Sequence, residues 1–319
     1  MKTFLLYAAA VLIWGSTWFA IKLQLTGVPT QVSLVYRFGL ATVILFLWCW
    51  FRGVRTRFSG REHLLLLLAG LSVFSSNYVL FYEAERHLVS GSVAIIFSLL
   101  VVFNIFNTWV FFGQRPRYQI VAGAALGLVG IILTFWRELY NLGSDSGNAL
   151  GIGLSLVATL CASLGNMVFA KMQRQGIPVI SGNAFGMLYG TVLLMLYAWI
   201  TGGKFGLDTS PSYVLSLIYL SLFGSVIAFG CYLSLVGRIG ADRAAYSSIM
   251  FPIVALMLST AFEGYRLNVL SGLGIVATLA GNAVVLLQKQ RNKGVTTKIS
   301  PHFSPSAEKC ARSTRIRRG

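Results

Sequence analysis

The chain has 319 residues, of which 56% are hydrophobic and only 11% charged, with a formal net charge of +17 and a mean hydropathy of +0.73. A soluble domain carries roughly 25% charged residues, so this chain has too few charges to cover a water-facing surface, which excludes an ordinary soluble enzyme. The basic excess also suggests nucleic acid, and where the basic residues fall decides between that and a membrane.

Thr3 to Ile21 is the first uncharged run. At about 1.5 Å per residue it reaches roughly 29 Å, one hydrocarbon core. Lys2 and the apolar stretch through Ala8, Ala9 and Ala10 loosely fit a signal peptide as well. The run continues through Trp14, Trp18 and Phe19, however, and the same plan returns at the start of the second half, so it reads as a retained helix. The second run, Ser33 to Phe51, contains Arg37 and leads into the basic linker Arg52, Arg55, Arg57, Arg61. The third is Leu64 to Tyr82 and the fourth Leu88 to Phe112. A turn with Arg115, Pro116 and Arg117 precedes the fifth, Tyr118 to Trp136. The segment Arg137 to Asn148 has the Gly, Ser, Asp and Asn content of a loop. Five more runs follow: Ala149 to Ala170, Asn183 to Ile200, Tyr213 to Val236, Ala244 to Phe262 and Leu267 to Leu287. Beyond Gln288 the chain turns polar and basic, with nothing to bury, and reads as a disordered tail.

The two halves repeat. At an offset of 151, Gly113 falls on Gly264, Arg115 on Arg266, Gly123 on Gly274 and Gly130 on Gly281. At 150, Gly15 falls on Gly165, Phe19 on Phe169 and Ala20 on Ala170. A unit of five spans is odd, so two copies in series must sit in opposite orientations. The expected fold is therefore an all-α integral membrane protein with ten transmembrane helices as two inverted five-helix repeats. Residues 1–143 form the first repeat, 144–291 the second, and 292–319 the basic cytoplasmic tail.

Charge orients the protein. With a cytoplasmic N-terminus, twenty Lys and Arg fall inside, including Arg52 to Arg61 and nine in the tail. Five fall outside: Lys22, Arg86, Arg137, Lys204 and Arg266. Both termini are thus expected in the cytoplasm. The basic residues are then an insertion signal, and no nucleic acid is expected as a partner. The tail is either solvated or in touch with anionic lipid.

Chemistry-bearing patterns are sparse. Cys49, Cys161, Cys231 and Cys310 lack metal-like spacing, and His63, His87 and His302 lie far apart in linkers or the tail. No HExxH, GxSxG, P-loop or zinc pattern is present, so no metal, cofactor or catalytic residue is expected. An intramembrane enzyme would need paired His, Asp or Cys at membrane depth. All nine acids, Glu62, Glu83, Glu85, Glu138, Asp145, Asp208, Asp242, Glu263 and Glu308, fall at span ends, in loops or in the tail. The sequence thus gives no support for a carboxylate proton relay.

Several segments carry a family resemblance. These are IWGSTWFAIK (Ile13 to Lys22), YRFGLA (Tyr36 to Ala41) and NYVLFYEAERHLVSGSVAII (Asn77 to Ile96). The turns GQRP (Gly113 to Pro116) and EGYRLN (Glu263 to Asn268) are similar to a GERLT signature, though its glutamate is Gln114 in one copy and Tyr265 in the other. Pro252 matches a proline typical of the ninth helix. Through these residues the chain resembles the drug/metabolite transporter superfamily, specifically ten-helix EamA-domain transporters. The resemblance covers residues 1 to about 290 and implies an inner-membrane transporter with a central cavity between its halves, usually exporting metabolites.

Polar groups at membrane depth must be satisfied by protein or by cavity water. Asn77, Asn104, Asn107, Asn166 and Asn282 are therefore markers of either a solute site or interhelical hydrogen bonds. Tyr78 and Tyr82 accompany Asn77 on the third helix. Trp14 and Trp18 are four apart and share one helix face, where they stack on a solute or pack in a lipid-facing belt. Pro252 frees a carbonyl near position 248, beside Tyr246, Ser247 and Ser248, and makes a candidate hinge, gate or plain structural kink. Arg37 snorkels to the interface, pairs structurally or attracts an anionic group. Gly123, Gly127 and Gly130 on the fifth helix and Gly272, Gly274 and Gly281 on the tenth form smooth faces, which meet between the halves or in a homodimer.

The expected protein is a monomer or weak homodimer in the cytoplasmic membrane, with small-molecule solute and membrane lipid as partners. It exports small metabolites by alternating access through a cavity lined by helices one, three, four, six, eight and nine. Without an acid at its centre, that cavity favours neutral, zwitterionic or aromatic solutes, such as amino acids. A multidrug-type carrier, a channel, and a receptor or structural subunit without transport are the alternatives.

Overall fold

The computed structural model describes residues 2–25, 27–113, 115, 118–134, 136, 146–232 and 247–296, with the side chains at 2, 120, 146, 247–249, 282 and 285–296 left out. The linker 137–145, the chain at 233–246, the tail beyond 296, and Tyr246 with the side chains of Ser247, Ser248 and Asn282 therefore lie outside the described residues.

All regular structure among the described residues is helical. The helices are α1 (Lys2–Lys22), α2 (Thr30–Phe51), α3 (Gly60–His87), α4 (Ser90–Phe112), α5 (Tyr118–Thr134), α6 (Ser146–Arg174), α7 (Val179–Ile200), α8 (Pro211–Tyr232), α9 (Ser247–Phe262) and α10 (Val269–Thr296). Seven are long and apolar enough to cross a membrane, and α5, α9 and α10 hold the shorter apolar stretches Val121–Thr134, Met250–Phe262 and Val269–Gly281. This is an all-α membrane protein, one apolar helix for each apolar run.

Local signals explain the ends. Gly113 (φ +67°) and Gly264 (φ +69°) follow α4 and α9 in the left-handed region, where a side chain is strained. Ser59 caps α3 in a capping box with Glu62. Two boundaries differ from the hydropathy reading. α3 continues through Glu83, Glu85 and Arg86 to His87, because hydropathy registers the charges while the backbone bonds do not. α10 likewise runs to Thr296, so residues 292–296 are helical rather than part of a structureless tail.

Both α3 and α8 contain a π-helical stretch, Gly70–Ser76 and Tyr219–Ile227. Such segments often mark functional positions. Here they re-aim the residues that follow, Asn77 and Tyr78 on α3 and Phe229 and Tyr232 on α8.

The helices pair mainly across the two halves of the chain: α5 with α10, α2 with α7, α3 with α6, α1 with α9, and α4 with both α9 and α6. On α5 and α10 the contact is backbone on backbone. A Cβ at Gly130 would collide with Gly274 and Thr278, and one at Gly281 with Gly123 and Gly127. Ser271 Oγ donates to Thr134 O at 3.2 Å across the same contact. Gly272, by contrast, faces open space and is no part of the packed seam.

Alternation of direction puts Lys22, His87, Ser90 and Glu263 at one end of the bundle, called here the far end. Lys22 Nζ donates to the carbonyls of Glu85 and Leu88 there. The N-terminus of α1 and the C-termini of α4 and α6 lie at the near end, where the Arg174 guanidinium covers the Phe112 ring at 4.1 Å. Trp50 and Trp199, at helix ends, are 75% and 78% exposed, as expected of rings at a membrane interface.

Candidate functional site

A cavity of about 340 Å³ lies among α1, α3, α4, α6, α7, α8 and α9, within the usual size range of ligand pockets. Aromatic rings build much of its wall. Trp14, Trp18, Phe74, Tyr78, Phe81, Phe97, Phe169, Phe229, Tyr232 and Phe251 all line it. Four amides, Asn77, Asn166, Gln173 and Asn183, supply much of its polar lining, and no charged side chain is among the described lining residues.

The aromatic wall is held edge-on. The Trp14 ring meets Phe229 at 5.1 Å and 81° and Phe251 at 5.4 Å and 74°, with Tyr232 at 5.3 Å. Its indole N–H donates to Gly224 O at 3.1 Å, in the π-helical stretch of α8. Trp18 packs on Phe81 at 5.1 Å and 87° and on Phe97 at 5.3 Å. Edge-to-face pairs each add about 0.5–1.5 kcal/mol beyond burial, so the rings stand as fixed walls. Neither tryptophan belongs to a lipid-facing belt.

The amides are set unequally. Asn166 Nδ2 donates to Asn104 Oδ1 at 3.3 Å, and Ser163 Oγ donates to the same oxygen at 2.9 Å. Asn107 Nδ2 donates to Ser163 Oγ at 2.8 Å. Asn104 is not among the residues that line the cavity. It braces Asn166 through interhelical hydrogen bonds between α4 and α6. Asn77 differs, because its carbonyl oxygen is buried without a hydrogen-bond partner among the described residues. A buried acceptor left bare costs about 1–3 kcal/mol, and because the oxygen is closed off from the cavity, a donor on a solute would remove that cost only after the amide turns toward it. Replacing Asn77 by Ala should weaken solute binding by about tenfold while leaving the melting temperature of the solute-free protein near wild type. Binding curves followed by thermal stabilisation check this.

Tyr82 is also absent from the lining. It lies at 0% exposure toward the far end, where its hydroxyl donates to Gln24 Oε1 at 2.6 Å and accepts from Arg37 Nη1 at 3.4 Å. Arg37 does not snorkel. α2 begins at Thr30, earlier than the apolar run suggests, so Arg37 sits about two turns in and is 2% exposed. Its guanidinium lies over the Tyr78 ring at 4.7 Å and the Phe38 ring at 5.2 Å and donates to Ser225 Oγ at 3.4 Å. Pro252 is buried within α9 beside the lining residue Phe251.

Of the residues singled out from sequence, Trp14, Trp18, Asn77, Tyr78 and Asn166 come together around the cavity. The phenylalanines, Tyr232, Gln173 and Asn183 were not foreseen. Phenylalanine in a membrane chain carries no polarity signal, and Gln173 and Asn183 fall at span ends, where polar residues are ordinary. The seventh helix, through Val179 and Asn183, joins the six expected to line the cavity.

Comparison with known proteins gives one consistent result. The model of the EamA-like transporter family matches residues 1–136 and 149–287. The chain is 28% identical over 283 residues to a protein of Escherichia coli strain K12 named uncharacterized inner membrane transporter YedA, covering 88% of this chain and 89% of that one. It is 25% identical over 305 residues to protein PagO of Salmonella typhimurium strain LT2, covering 94% and 97%. A transporter of Bacillus subtilis named YoaV is 24% identical over 279 residues, covering 85% and 93%. A crystal structure shares the fold with a TM-score of 0.65 at 17% identity, covering 91% of this chain and 98% of that one. The family model and the relatives named as transporters point to a membrane transporter rather than an enzyme, and the chain belongs to the EamA-like transporter family.

Proposed function

We propose that the protein exports small neutral, zwitterionic or aromatic solutes, amino acids among them, across the cytoplasmic membrane by alternating access. The observation that carries this reading is the cavity, ringed by aromatic side chains, furnished with four amides and free of charged side chains among its described lining residues. Stacked faces suit a planar or apolar group, and amides suit hydrogen-bonding groups of a solute with no net charge. A strongly cationic drug would find no carboxylate among the described lining residues.

Alternating access is supported by how the cavity is bounded. Toward the far end it stops at Ile21, Phe81 and Phe97, beyond which lie the buried contacts of Tyr82 and the part-buried contacts of Lys22 and Glu263. Toward the near end its lining reaches Gln173 in the last turn of α6 and Val179 at the start of α7. With both termini in the cytoplasm, as charge suggests, the near end faces inward and this arrangement loads from the cytoplasm.

An inverted repeat would let the halves exchange roles. Several matched features support it: the left-handed glycines after α4 and α9, the π-helical stretches in α3 and α8, and a pairing pattern that survives exchanging the halves. Under that exchange α1 with α9 becomes α6 with α4, and α3 with α6 becomes α8 with α1, and all four pairings occur.

The test is thermal stabilisation of the purified protein by a panel of amino acids and other metabolites. A solute at 100 times its Kd should stabilise by about 2.7 kcal/mol if it binds only the folded state. Stabilisation confined to aromatic or neutral zwitterionic members supports the reading. Stabilisation only by lipophilic cations would replace it with a multidrug carrier.

A further inference from the structure

Among the described acids, Glu85 alone is fully buried, at 0% exposure, and both of its carboxyl oxygens lack a hydrogen-bond partner among the described residues. It sits at the far end, two residues before the end of α3. Lys22 of α1, Arg37 of α2 and Glu263, just past the end of α9, lie within electrostatic reach, as does Tyr82 of its own helix.

The described polar bonds of each neighbour lead elsewhere. The Lys22 ammonium donates to the main-chain carbonyls of Glu85 and Leu88. The Arg37 guanidinium donates to Tyr82 and Ser225. The Glu263 carboxylate accepts from Ser259 Oγ, from Ser90 Oγ at 2.6 Å and from Ser90 N at 3.2 Å, and so ties α9 to the start of α4. With both acids ionised the four charged groups balance, yet Glu85 alone has no hydrogen bond.

An ionised carboxylate held dry and without donors costs several kcal/mol. The same group carrying a proton has no such cost, and opening the far end to water would solvate the ionised form. Closure of the far end and proton binding at Glu85 therefore favour one another, since each lowers the free energy of the other.

We propose that Glu85 is a proton-binding site that couples the transporter to the proton gradient, with the far end closed over the protonated carboxyl and open over the ionised one. This rests on the reading of the protein as a transporter. The proton is taken up from the far side, carried inward as the far end closes, and released on the near side. Phe81, one turn before Glu85, already lines the cavity, so the path for release is short. Solute moves outward in the other half of the cycle, which makes the exchange an antiport.

The test has two readouts. Infrared difference spectra of the reconstituted protein, between alkaline and acid pH, report protonated carboxyl groups with no solute present. A carboxylic-acid band present in wild type and missing from Glu85→Gln is expected, while Glu83→Gln, which removes a half-exposed acid paired with Arg86 two residues away, keeps it. An unchanged band in Glu85→Gln overturns the proposal. If that variant does not fold, Glu85→Asp keeps a carboxyl, and a shifted band identifies it as the titrating group. The second readout is radiolabelled L-phenylalanine in vesicles. Wild type should accumulate it against its gradient when a pH gradient is imposed. Glu85→Gln should lose about tenfold or more of that accumulation yet retain solute-for-solute exchange. Gradient-driven accumulation equal to wild type overturns the coupling. Absence of any L-phenylalanine flux in wild type counts against the solute reading, and the infrared band then decides the proton site by itself.

Discussion

Gly281→Leu is expected to be among the most damaging substitutions in the glycine seam, destabilising the purified protein by about 3 kcal/mol. A Cβ at this position would collide with Gly123 O and with the main chain of Gly127. Those atoms belong to the backbone of α5 and have no alternative rotamer, so only separation of α5 from α10 relieves the clash. In lipid there is little hydrophobic force to hold the helices together once close contact is lost. Gly272→Leu supplies the comparison. It lies on the same helix facing open space, and its stability should stay within about 0.5 kcal/mol of wild type. Thermal unfolding in detergent, with size-exclusion chromatography to report dispersity, measures both. Equal stability of the two variants would show that the glycine seam does not hold the bundle.

Trp14→Ala should cost about 2–3 kcal/mol, below the range for a fully buried tryptophan, because one side of the ring faces the cavity. Three ring contacts at 5.1–5.4 Å and the bond to Gly224 O disappear together. The wall between α1, α8 and α9 then loses its central ring, and stabilisation by aromatic solutes should vanish even where the variant remains folded. Trp14→Phe separates the two effects. It keeps an aromatic face but removes the N–H donor, so it should cost about 1 kcal/mol and retain most of the solute response. Equal loss in both variants would make the hydrogen bond to the π-helical stretch of α8 the dominant contribution.

Trp14 and Asn77 were legible as site residues because a polar or amphipathic group at membrane depth demands a partner, and the sequence shows that demand. Asn104 shows the same demand and meets it with Ser163 and Asn166. Nothing in the sequence distinguishes the two outcomes, since both asparagines lie in apolar runs and differ only in what faces them. Tyr82 was placed with Tyr78 by helical spacing. The structure turns it toward Gln24 and Arg37, because the lining ends where the far end closes.

Ten apolar helices, membrane residence and family follow from the sequence alone. Apolar length, charge scarcity and turn glycines act locally or are simple totals, so they can be read without knowing which helix touches which. Partnership between helices is a different kind of information. Apolar runs of near-equal hydropathy do not say that α2 pairs with α7 or α1 with α9, and hydropathy placed Glu85 among ordinary span-end acids. Only the tertiary structure buries that carboxyl and brings Lys22, Arg37 and Glu263 within electrostatic reach of it from α1, α2 and the end of α9. Burial of a charge depends on what packs over it, and the packing elements come from positions as far away as α9.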